Sequence, residues 1–331
     1  MMRKILLTLS LVAVFTGCGG NSEEATQRLV ETGNRYFENG KFKEASIVYR
    51  RALQRDRRSA EAYYRLGMSE QRLGRYEGAI QALRRACELD VTNEDAYALL
   101  ADLLLTIYIS DTARYSTLLS EIQQLTERAA AQFPDSFQVA RVRGFTRLAQ
   151  GDYTSAIPLL REALAKQPDD QRVALWLVQA VAASGNREEA EKLARSYIDK
   201  DKSSSSLYDV LYLLYLSERN VDAAQAVLEE KCQNNPDSLV YQLQLARHFA
   251  AVGNAAQMNS TLDQALATPD RFPAVFRDVG RFYMLLRDYD RAYAVFERGA
   301  QHFPGEQNAY VLQMVEALAS QGKASEGFRL L

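Results

Sequence analysis

The sequence predicts an all-α solenoid of stacked antiparallel helix pairs, and three observations carry that prediction. Pro134, Pro168, Pro236 and Pro304 lie 34 residues apart, or twice that where one point is skipped. Small residues keep the same step: Ala45 and Ala79, Ala52 and Ala86, Gly33 and Gly67, Gly151 and Gly185, and the series Ala156, Ala190, Ala224 are each 34 apart. Within each interval, apolar residues recur at three-and-four spacing between helix-stopping glycines and polar turns. A fixed period of this size denotes one supersecondary unit stacked many times, and it moves the question of function from a pocket to a surface.

Composition agrees. Apolar residues make up 47% and charged residues 25% of the 331, which suits a packed fold rather than a disordered one. Forty basic against 42 acidic side chains give no field that would imply a nucleic-acid partner. Because an array grows along one axis, residues 26–331 are expected to be a single elongated domain.

The first seventeen residues are of another kind. Arg3 and Lys4 precede an apolar run from Ile5 to Phe15, too short to span a bilayer as a helix, so residues 1–17 read as a secretory signal. The end of that run, Phe15-Thr16-Gly17-Cys18, resembles the lipobox of bacterial lipoproteins, although Phe15 replaces the usual aliphatic residue. An ordinary signal peptide with an incidental cysteine is the alternative. The resemblance implies cleavage before Cys18, lipidation of that cysteine and a tether over residues 18–25. It further implies attachment to the periplasmic face of the bacterial outer membrane, because Gly19 is not the aspartate that retains such proteins at the inner membrane. Loss of Arg3 and Lys4 would leave 38 basic against 42 acidic residues, so acyl chains and not charge would hold the protein to lipid.

The units then follow in order. Residues 26–59 supply Leu29, Gly33, Tyr36, Gly40, Ala45, Tyr49 and Ala52. Residues 60–93 supply Tyr63, Leu66, Gly67, Gly74, Ala79, Leu83 and Ala86. Residues 94–136 keep the frame at Tyr97, Ala101 and Pro134 but hold nine extra residues around Ile109 to Ser116, which either lengthen the helix pair or protrude as a contact element. Residues 137–170 return to period with Gly144, Gly151, Ala156, Leu160, Ala163 and Pro168. Units at 171–204, 205–238, 239–272 and 273–306 continue with weaker matches through Ala190, Ala224, Pro236, Ala246, Gly253, Ala265, Gly280, Ala292, Phe296 and Pro304. A partial ninth unit occupies 307–331, and its apolar end, Phe328-Arg329-Leu330-Leu331, makes a poor polar cap, so the natural chain is expected to continue.

These residues resemble the tetratricopeptide repeat family: a large apolar residue, Leu-Gly and Tyr in the first helix, then Ala, an aromatic or Leu, Ala and Pro through the second. The resemblance implies a right-handed superhelix and a protein-binding groove lined by the first helices at repeat positions two, five, nine and twelve. Carried onto this chain, those positions place Asn34, Tyr64, Arg141, Phe145, Arg172, Arg247, Arg277 and Arg281 in the groove, with Met68, Asp95, Asp102 and Met284. Val30 replaces the lysine with which some members clamp a C-terminal carboxylate, so chaperone-tail recognition is not implied. Arg247, Arg277 and Arg281 form the sharpest cluster, suited to an acidic segment or anionic polymer unless Glu316 pairs with Arg281.

Catalytic chemistry finds little support. The two histidines, His248 and His302, are 54 residues apart, and no metal spacing, phosphate loop or nucleophile elbow occurs. Cys87 and Cys232 share a repeat position four units apart, too distant for a disulfide, and read as core. Tyr208, Tyr212 and Tyr215 fall at packing positions and also read as core. No cofactor, metal or nucleic acid is expected. The expected function is a lipid-anchored, non-catalytic scaffold that holds extended segments of envelope proteins, as in outer-membrane assembly, pilus biogenesis or polysaccharide export. The alternative is the repeat portion of a longer envelope enzyme whose catalytic domain lies beyond residue 331.

Overall fold

The computed structural model describes residues 20–331. The signal segment 1–17 and Cys18 lie outside the described residues. Every regular element among the described residues is helical, and the chain divides into two compact units, the first ending at Pro168 and the second running Asp169–Leu331.

The first unit contains four antiparallel pairs: α1 (Gly20–Glu38) with α2 (Phe42–Arg55), α3 (Ala60–Arg72) with α4 (Tyr76–Leu89), α5 (Glu94–Ser110) with α6 (Ser116–Gln132), and α7 (Phe137–Ala149) with α8 (Tyr153–Lys166). The second contains α9 (Gln171–Ala183) with α10 (Arg187–Lys200), α11 (Ser205–Ser217) with α12 (Val221–Asn234), α13 (Leu239–Ala251) with α14 (Ala255–Leu266), α15 (Val275–Leu285) with α16 (Tyr289–His302), and α17 (Gln307–Ser320) followed by the single turn α18 (Ala324–Gly327). These bounds fall inside the expected repeats. One expectation is corrected at the start: residues 20–25, assigned to a tether, are the first turns of α1. Glu23 sits in its first turn, where a carboxylate stabilises the helix dipole.

Except between α5 and α6, each pair is closed by a short turn with the same backbone device. Gly40, Gly74, Gly151, Gly185 and Gly253 all take φ between 71° and 91°, the left-handed region that costs other residues energy. Arg219 and Arg287 occupy equivalent turns at φ 58° and 59°. The next residue is the cap of the second helix. Asp152, Asn186, Asn220, Asn254 and Asp288, spaced by 34, each accept a hydrogen bond from the backbone N–H three residues on, satisfying one of the donors that a helix start leaves open.

Cores form between the paired helices. In the first unit Val30, Tyr49, Ala52, Ala62 and Leu66 pack together. In the second a longer core runs from Leu228 through Phe249, Phe276, Val279 and Phe296 to Ala317. Close approach needs small residues: a Cβ added at Gly280 would lie 2.1 Å from the Phe296 ring.

The extra residues of the third pair are absorbed as longer helices. α5 and α6 have 17 residues each, against 13 and 14 in the neighbouring α3 and α4. The extension is anchored, because Tyr108 is buried and its ring meets that of Phe145 edge-on at 6.4 Å.

Candidate functional site

Two sets of side chains occupy the exposed flanks of the first helices, and they differ between the units. In the first unit, repeat positions two, nine and twelve include Glu61, Asp95 and Asp102. Across α9, α11, α13, α15 and α17 the same positions include Arg172, Arg247 and Arg281 and no carboxylate.

Within the second unit this face is both apolar and basic. Leu213 on α11 is 63% exposed and Val240 on α13 is 69% exposed; an isolated exposed apolar residue is ordinary, but two large ones on consecutive first helices, at repeat positions nine and two, are worth a physical account. Arg247 on α13 and Arg281 on α15 are exposed, 34 residues apart, and neither has an ion-pair partner among the described residues. Glu316 does not pair with Arg281; instead Arg277, half-buried one turn earlier on α15, approaches Glu306 at 3.9 Å. The one acid nearby on α11, Asp209, is already committed, since its Oδ1 accepts from Lys231 Nζ and from Gln244 Nε2, each at 2.7 Å.

The other expected groove residues divide into three groups. Arg172 is exposed, its guanidinium 5.9 Å from the Trp176 ring. Asn34 and Tyr64 are half-buried, with Asn34 Oδ1 accepting from the Tyr49 hydroxyl at 2.7 Å and Arg65 stacked 5.7 Å over Tyr64. Arg141 and Phe145 correct the expectation, because they are 1% and 7% exposed and face no solvent. Helix α5 explains both, Arg141 from a regular position and Phe145 from the extension. It brings Asp102 within 2.7 Å of the Arg141 guanidinium and lays Tyr108 on Phe145, so this part of the first-helix row is filled by the protein's own side chains.

Residues beneath the second unit's face hold it in place. Lys231 is 2% exposed at a position that carries a small residue in most other repeats, as at Ala52, Ala86 and Ala163. Its ammonium bridges Asp209 on α11 and Gln244 Oε1 on α13, the latter at 2.9 Å, and lies 4.3 Å over the Tyr241 ring. Repeat arithmetic alone marks Lys231 as a departure from a small residue, a signal the sequence reading passed over. His248 is buried beside Arg247, with Nδ1 3.3 Å from the Tyr212 hydroxyl. Burial pushes its pKa below the ordinary 6.5 against the opposing field of Glu229. Tyr208 and Tyr215 are buried as expected, while Tyr212 is half-buried. Cys87 and Cys232 are free, and burial raises their pKa values to about 12 and about 11.

No group of three or more potential metal-ligating side chains converges among the described residues, and none of the described helices is long and apolar enough to cross a membrane.

Comparison with known proteins gives the same architecture. Tetratricopeptide repeat models match residues 30–94 and 147–211. A human protein O-mannosyl-transferase, TMTC1, is 27% identical over 163 residues, covering 46% of this chain; the chain spans 18% of that relative's length. Among solved structures, PilF of Pseudomonas aeruginosa superposes with a TM-score of 0.51 at 19% identity, covering 69% of this chain and 99% of PilF. PilW, a type IV pilus biogenesis factor, superposes with a TM-score of 0.53 at 16% identity, covering 67% of this chain and 99% of PilW. The helix pairs, their 34-residue register and the two matched segments together identify the fold of this chain as a tetratricopeptide repeat solenoid.

Proposed function

We propose that the chain is a non-catalytic scaffold, anchored through lipidated Cys18 to the periplasmic face of the bacterial outer membrane, that binds extended segments of envelope proteins along its first helices. The observation that carries the reading is the first-helix face of the second unit, where Leu213 and Val240 stand exposed, Arg172, Arg247 and Arg281 supply positive charge, and positions two, nine and twelve carry no carboxylate. Exposed apolar side chains flanked by arginine suit a protein partner, since exposed apolar surface marks interaction sites and arginine is enriched at binding hot spots. Tetratricopeptide repeats and the likeness to a pilus biogenesis factor support a role in envelope assembly.

A photo-crosslinking residue placed at Leu213 in cells should yield discrete protein adducts, and the same residue at Lys192, exposed on the second helix α10, should not. Equal adducts from both positions would refute a first-helix binding face. Cys18→Ser should move the protein from the membrane to the soluble fraction; retention at the membrane would refute the anchor.

A further inference from the structure

We infer that the second unit selects an extended segment in which an apolar residue is followed, at intervals of about three residues, by two acidic ones. The inference rests on the first-helix reading above and names the chemistry of its occupant.

The argument begins with the row at repeat position nine. Leu213, Arg247 and Arg281 occupy this position on α11, α13 and α15, one per first helix. Neighbouring packed helices lie about 8–10 Å apart, and an extended chain advances about 3.3 Å per residue, so one helix spacing corresponds to about three residues of ligand. An apolar side chain over Leu213 therefore places the next two rungs over Arg247 and Arg281.

Charge selects acids at those rungs. Both guanidiniums are exposed and without an ion-pair partner among the described residues. Arg277 adds positive charge one turn before Arg281, partly offset by Glu306 at 3.9 Å. Asp209, the acid that could have answered them on α11, is turned to Lys231 and Gln244. A basic ligand would be repelled by Arg247 and Arg281, whereas an acidic one forms bidentate pairs with the guanidinium fork.

Acidic residues also need the apolar rung, because exposed ion pairs contribute little by themselves. Leu213 supplies area that water cannot satisfy, and the arginines supply order and direction of reading.

The test uses the full chain carrying Cys18→Ser and fluorescence polarisation with a labelled glycine-serine peptide bearing one leucine and two glutamates at about three-residue steps. A glutamine-for-glutamate peptide and a lysine-for-glutamate peptide are the controls. The acidic probe should bind about tenfold more tightly than the glutamine probe, and the difference should shrink as salt rises. Arg247→Glu with Arg281→Glu should invert the preference, favouring the lysine probe. Folding of that variant is checked by its circular dichroism and urea midpoint. Equal affinity for acidic and glutamine probes, with both lost on Leu213→Asp, would overturn the acidic selection while leaving the first-helix face intact. Binding that survives Leu213→Asp with Val240→Asp would overturn both.

Discussion

Replacing Asp209 by alanine should destabilise the protein far more than replacing its partner Lys231 by methionine. The Lys231 side chain is 2% exposed and that of Asp209 is 42% exposed, so the two halves of the pair face different solvents. Asp209→Ala leaves a buried ammonium with only Gln244 Oε1 at 2.9 Å and the Tyr241 ring at 4.3 Å. Orphaning one member of a buried pair costs about 3–5 kcal/mol; the aqueous side of Asp209 discounts this to about 2–3 kcal/mol here. Lys231→Met keeps the stem in its packing position and releases Asp209 toward water, so it should be neutral or stabilising by about 1 kcal/mol. The double variant should lie near Lys231→Met. Urea unfolding followed by circular dichroism gives the totals, and amide exchange over α11 to α13 localises the change, because an array need not unfold as one cooperative unit. Asp209→Ala costing less than about 0.5 kcal/mol, or Lys231→Met costing as much as Asp209→Ala, would refute the idea that a buried charge drives the asymmetry.

Three further perturbations follow from the same geometry. Arg219→Gly and Arg287→Gly, at φ 58° and 59°, should each raise the urea midpoint, since the left-handed region costs a side-chain-bearing residue about 1–2 kcal/mol and glycine's extra chain entropy returns part of that; unchanged midpoints would count against strain there. Gly280→Ala, whose Cβ would lie 2.1 Å from the Phe296 ring, should lower stability by about 1–3 kcal/mol through overpacking of α15 on α16, read from thermal unfolding. Burial raises the Cys87 pKa from 9.0 to about 12, so the folded chain keeps a proton that the unfolded chain releases first. Its contribution is therefore complete below pH 9 and falls as pH rises toward about 12, by at most about 1.4 kcal/mol per pH unit. Midpoints measured from pH 8 upward should fall less steeply for Cys87→Ala than for the parent; parallel curves would refute the buried-thiol account.

Much of the architecture was readable because breakers and small residues obey strict steric rules. Gly33, Gly67 and Gly280 announce close helix contacts, and the pair boundaries follow from them. The caps Asp152, Asn186, Asn220, Asn254 and Asp288 form a second lattice of 34 that was open to the same reading and was passed over in favour of the alanines. Side-chain exposure was less readable, because repeat position gives direction but not what covers it. Arg141 and Phe145 stand at groove positions, yet Asp102 at a regular position of α5 covers the first, and Tyr108 from the four additional residues at its end covers the second, which no periodic rule describes. Asp209 and Lys231 were missed for a related reason. A lysine at an alanine position is intelligible only once Asp209 and Gln244 from two other helices are seen to surround it.

The capping lattice has an evolutionary and engineering meaning. Each second helix of the pairs from α8 to α16 is started by an Asn or Asp that belongs to its own pair, immediately after that pair's own turn residue. Punctuation is thus inherited with the text it punctuates. A 34-residue cassette duplicated, deleted or exchanged within this stretch carries its own turn and cap to the new location, and only its two stacking faces must be matched afresh. The α5 and α6 pair lacks this portability, because its added residues place Tyr108 on Phe145 of the pair that follows. Recombination should therefore tolerate changes in the number of regular cassettes while keeping the long pair and its successor together.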